Sequence, residues 1–173
     1  MKKYVALSLL VLTSVSVVLN HVSFEAMDDS HVLNVDGMRW DVWGAAQDRL
    51  NTLTRQCEGV KRVTEEQDMD SSLWAVVREH SPPDSRQMKV RQLLSMGQWY
   101  LAEVSFERLQ PAVILLKKTG NKIEIQEGAL WSGPVGPWLT GPWIRRYLQR
   151  QAVAAPAELL ACYEPSPGLF KPQ

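Results

Sequence analysis

With 173 residues, 45% of them hydrophobic and 22% charged, the chain is long enough to bury a sizeable core and too apolar to be disordered over most of its length. Nineteen Lys and Arg balance nineteen Asp and Glu, so there is no global field to hold nucleic acid. The charge is uneven locally, with eleven acids against five bases from Glu25 to Asp70 and five against eight from Ser71 to Gln126. Solvated faces account for that more simply than a polarised binding surface.

Met1-Lys2-Lys3 is a short basic region, and Tyr4 to Leu19 is an apolar run interrupted only by Ser and Thr before Asn20 and His21. This is the layout of a secretory signal, about four residues short of the roughly 20 that span a bilayer. The best cleavage point follows Ala26, although Phe24 stands where a small residue is preferred. The reading taken is a signal peptide over residues 1–26 and a periplasmic or secreted protein. The alternative is an uncleaved, single-pass inner-membrane anchor with the domain outside the cytoplasm, the only case in which a membrane is a partner. Cys57 and Cys162 are the only two cysteines, an even pair in an exported chain, and are expected to form a disulfide.

Residues 27–38 are polar and acidic and are read as a flexible lead-in to a single globular domain over 39–163. A helix is expected from Val42 to Glu58, with Asp41 as N-cap and Gly59 as C-terminal cap. Trp43, Ala46, Leu50, Leu53 and Cys57 fall three and four residues apart and form one stripe, expected to face the core. A second helix ends before Pro82-Pro83, with Leu73, Val76, Val77 and His80 on its apolar face and Trp74 beside it. Its start is either the capping box Thr64-Glu65-Glu66-Gln67 or Ser71.

Met88 to Gln126 reads as three or four antiparallel strands in succession. Tyr100, Ala102, Val104 and Phe106 alternate on one face of a strand, and Pro111 to Leu116 is apolar on both faces, as in a strand covered on both sides. Gly97 and Gly120-Asn121 supply the turns. From Gly128 the character changes: three Gly-Pro pairs interleave with Trp131, Trp138 and Trp143. That pattern describes either a stiff loop presenting tryptophans to a ligand or one whose tryptophans cover the sheet. Pro142 suits the first turn of a C-terminal helix, on which Arg145, Arg146 and Arg150 are expected to point away from the face of Trp143, Tyr147 and Leu148. Residues 156–162 form a shorter helical turn, and 164–173 a disordered tail.

Catalytic signatures are absent: there is no GxSxG elbow, HExxH, GxxxxGK or dinucleotide fingerprint, and no cofactor is implied. Asp68, Asp70, Ser72 and Glu79 match four positions of a calcium loop, but Leu73 stands where its glycine is required. Glu103 and Glu107 share the polar face of a strand and could flank a hydrolytic groove; the simpler reading is a solvated face. The expected fold is α+β, with N-terminal helices packed on an antiparallel meander closed by the Trp and Gly-Pro loop and a C-terminal helix. The expected function is a non-enzymatic envelope binding or accessory protein that recognises a protein partner or small ligand. Trp131, Trp138, Trp143, Arg145 and Arg146 are its candidate contacts. A membrane-anchored subunit of an envelope or secretion complex is the alternative, and a hydrolase ranks third.

Overall fold

The computed structural model describes residues 16, 20–27, 30–63, 71–80 and 88–170. The apolar leader, the acidic stretch with its calcium-loop match, the capping-box start and the Pro82-Pro83 stop lie largely or wholly outside these residues. The fold is α+β, with a three-stranded and a five-stranded antiparallel sheet plus helices.

The larger sheet runs in sequence order: β4 (Lys61–Val63), β5 (Lys89–Met96), β6 (Trp99–Ser105), β7 (Ala112–Thr119) and β8 (Lys122–Ser132). Tight turns join the strands where Gly97 and Gly120 adopt positive φ, as the turn signals require. Register sorts the apolar residues into two layers. Leu94, Leu101 and Leu115 stand in one cross-strand row, and Leu93, Ala102 and Ile114 in the row on the opposite face. The first layer is covered by α3 (Thr140–Gln151), α4 (Ala157–Ala161) and the segment that follows, through Ile144, Leu148, Leu159, Tyr163 and Phe170. The second is covered by α2 (Ser71–His80), through Leu73, Trp74 and Val77. Of the run Pro111 to Leu116, expected to be covered on both faces, Ala112 to Leu116 are buried, because β7 is an interior strand with a helix on each side, and Pro111 lies half-buried just before it.

Two boundaries differ. β8 continues to Ser132, past a shift in register between Ile114 and Leu116, so Trp131 is a strand residue rather than part of a loop. The fifth strand, β4, comes from charged sequence with no apolar alternation. It pairs at the edge of the sheet, where Val63 packs inward and Arg62 donates to the Cys162 carbonyl at 3.1 Å.

The described residues of the stretch expected to be a flexible lead-in are instead ordered, in β2 (Ser30–Val35) and the start of β3 (Met38–Trp40), while β1 (Val22–Met27) draws on the end of the segment expected to be a signal peptide. Their polar residues satisfy one another: Glu25 accepts hydrogen bonds from Asn34 and Arg39, which hold its carboxyl below the usual carboxylate range. The inward residue Val32 joins the core of the larger sheet.

α1 (Val42–Thr54) begins as expected, with Asp41 Oδ1 accepting from the Gly44 amide at 2.7 Å. A Cβ at Gly44 would lie 2.0 Å from Asp41 Oδ2, so the cap requires glycine there. The other carboxylate oxygen accepts from the Leu139 amide at 3.0 Å and ties α1 to the start of α3. The helix stops four residues before Glu58. Arg55 turns extended and pairs with Glu164, while Gly59 sits in the turn into β4. The stripe expected to face the core does not. Trp43, Leu50 and Leu53 are 60%, 62% and 75% exposed, because α1 packs by its polar side: Asn51 donates to the Ala161 carbonyl and Asp48 pairs with Arg145.

Cys57 and Cys162 are bonded, with Cα atoms 5.8 Å apart; the Cys162 side is buried and the Cys57 side is exposed. The bridge closes a loop spanning 105 residues. Residues 164–170, expected to be a disordered tail, pack instead. Phe170 is buried, and the Ser166 amide donates to Glu103. Only 171–173 of that segment lie outside the described residues.

Candidate functional site

The three candidate tryptophans come together where β8 leads into α3. Trp131 leaves the end of β8, Trp138 sits just before α3, and Trp143 lies in its first turn. Trp138 and Trp143 stack with centroids 5.2 Å apart, and Trp131 meets Trp143 edge-on at 6.0 Å and Tyr147 at 5.0 Å. Trp138 is buried, Trp131 and Trp143 are half-buried, and all three pack against the core of the larger sheet. The Tyr147 hydroxyl donates to the Gly128 carbonyl at 2.8 Å. In this arrangement the aromatic groups close the end of the sheet.

The two candidate arginines separate. Arg145, expected to be exposed, is buried. It donates to the Tyr163 carbonyl at 2.9 Å and to Asp48 at 2.5 Å, and so crosslinks α1, α3 and the C-terminal segment. Arg146 lies over the Trp143 ring, 5.3 Å from its centroid, with one guanidinium nitrogen buried and lacking a hydrogen-bond partner. It opens on a cavity of about 390 Å3 between α1, α3 and α4.

Glu103 is fully buried, contrary to the solvated face expected of it, and Glu107 is exposed, so the two do not flank a groove. The Glu103 carboxylate accepts from the Tyr163 hydroxyl at 2.6 Å, from Gln92 at 3.2 Å and from the Ser166 amide at 3.1 Å. Burial, followed by the neighbouring charge of Glu103, pushes the Tyr163 phenol well above its ordinary range. With three donors and no exposure, this carboxylate pins the C-terminal segment to the sheet. Among the described residues no three His, Cys, Asp or Glu side chains gather to hold a metal ion.

A second surface was not among the sequence candidates. On the three-stranded sheet Val22, Val35 and Met38 form one cross-strand row, and Phe24, Leu33 and Trp40 the next. All six point to the same face, and Phe24, Met38 and Trp40 are 71%, 60% and 55% exposed. Val42 and Trp43 at the start of α1 line a cavity together with Phe24, so the exposed helix stripe continues the sheet face. The signal was present as period-two alternation in Val22-Phe24-Ala26 and Leu33-Val35. It was masked because the first of these runs abuts the apolar leader and the second follows a cluster of acids. Compared with known proteins, the chain matches no family model, no curated protein and no solved structure.

Proposed function

We propose that this is an exported, non-enzymatic binding or accessory protein of the cell envelope that recognises a partner protein through the apolar face of its N-terminal sheet. The observation that carries this reading is the exposed face bearing Phe24, Met38 and Trp40, with Val42 and Trp43 lining a cavity beside Phe24 and Leu50 and Leu53 exposed further along α1. Contiguous apolar surface rich in aromatic residues is characteristic of interaction sites and uncommon elsewhere on a monomer. The disulfide is in keeping with an oxidising compartment.

A tethered form of the same protein, in which the leader is retained, is favoured by one further observation. Cleavage after Ala26 would remove five of the six residues of β1, each of which is paired with β2. With the leader kept, the apolar face begins directly after an apolar segment and is delivered close to the bilayer, where an envelope partner would meet it.

Photo-crosslinking in the envelope tests the reading, using the full chain with a photoreactive residue at Trp40 and, as control, at the exposed Val153. A discrete protein adduct from position 40, absent from position 153 and lost when Phe24→Ser and Met38→Ser are added, is the expected result. Equal adducts from both positions, or adducts to lipid alone, would overturn it.

A further inference from the structure

We infer that the cavity between α1, α3 and α4 binds a small molecule bearing a carboxylate. The cavity measures about 390 Å3, within the range of sites that enclose a small ligand. Its polar lining comes from facing helices: the carboxamides of Gln47 and Asn51 on α1, that of Gln149 on α3, and the guanidinium groups of Arg145 and Arg146. No carboxylate lines it. Asp48, next to Gln47 on α1, is taken by Arg145, whose other terminal nitrogen is held by the Tyr163 carbonyl. The pocket therefore keeps the positive charge of Arg146, which has no anionic partner among the described residues.

Three features select the ligand class. A guanidinium forms charge-assisted hydrogen bonds to a carboxylate, and Arg146 rests over the Trp143 ring, 5.3 Å from its centroid. Asn51 donates to the Ala161 carbonyl at 2.9 Å, which leaves its own oxygen as an acceptor for a hydroxyl or ammonium on the ligand. Leu160 and Ala161 supply an apolar wall, which suits an organic acid with a carbon skeleton better than a bare inorganic anion. This site is separate from the N-terminal apolar face, so either can fail without the other.

Calorimetric titration of the full chain in detergent, with citrate and succinate as probes, tests it. Saturable binding with a Kd of about 1 mM or tighter is expected for at least one of them, with succinamide and inorganic phosphate inert. Arg146→Gln should weaken that binding about tenfold or more, as loss of a charge-assisted pair does. Gln47→Leu, on the facing helix, should weaken it too and decides the matter alone if Arg146→Gln lowers the melting temperature. Phe24→Ser should leave it unchanged. Absence of saturable binding by both acids, equal binding of phosphate, or affinity unaltered in both pocket variants would overturn the proposal.

Discussion

In the five-stranded sheet, Leu101 and Leu115 face α3 and α4 while Ala102 and Ile114 face α2, and all four are buried. In the three-stranded sheet, Phe24, Leu33 and Trp40 form the same kind of cross-strand row, yet its outer members stand largely in solvent. The two sheets share alternation, antiparallel pairing and apolar composition. What separates them is coverage: the larger sheet has a helix on each face, and no described element covers the outer face of the smaller one. Apolar burial is worth roughly 25 cal/mol per Å2, so the larger sheet draws its stability from within the chain, while the exposed side chains of the smaller contribute little of that energy.

Four measurements sharpen or break this contrast. The largest effect is expected at the disulfide, which links the end of α1 to the segment covering the larger sheet. On the chain-entropy account, a Cys57→Ala, Cys162→Ala double variant loses about 4–5 kcal/mol, read by denaturant unfolding. Next, Leu115→Ala leaves a cavity in the doubly covered sheet and costs about 2–5 kcal/mol by the same assay.

Tyr163→Phe removes the hydroxyl that Glu103 accepts from and costs about 1–3 kcal/mol. It also carries a pH signature. The folded protein holds the phenol proton more tightly than the unfolded chain does, so this stability is intact below the unfolded value near pH 10 and declines as pH rises past it. The variant should lose that alkaline slope, and a wild-type stability that is flat above about pH 10 would contradict the buried pairing. The smallest effect belongs to the exposed face: Trp40→Ser should change the unfolding free energy by about 0.5 kcal/mol or less, as exposed substitutions do. A loss comparable to that of Leu115→Ala would mean that Trp40 is structural and would erase the distinction between the sheets.

Much of the larger sheet was legible. Gly97 and Gly120 marked its turns, Pro111 to Leu116 announced a strand covered on both faces, and Trp74 belonged to the helix that covers it. Asp41 was readable as a cap because capping is a contact over three residues. The candidate site was less legible. Arg145 and Arg146 are adjacent and chemically alike, but the helix turns one into the Asp48 and Tyr163 contacts and sets the other over Trp143 beside the cavity. Periodicity identified the α1 stripe without its destination. The same Trp43, Leu50 and Leu53 pattern serves a core or an interface equally well.

Local sequence sets where most strands of the larger sheet alternate, where glycines turn the chain and where a carboxylate caps a helix. Those depend on neighbours within a few residues. Which apolar faces are covered, why Glu103 and Arg145 are buried, and where the C-terminal segment goes are set by long-range packing. The partners that settle these points, Tyr163 and Ser166 for Glu103 and Asp48 for Arg145, stand 60, 63 and 97 residues away. Alternation records that a face is apolar, and coverage is set by what the rest of the chain brings to it.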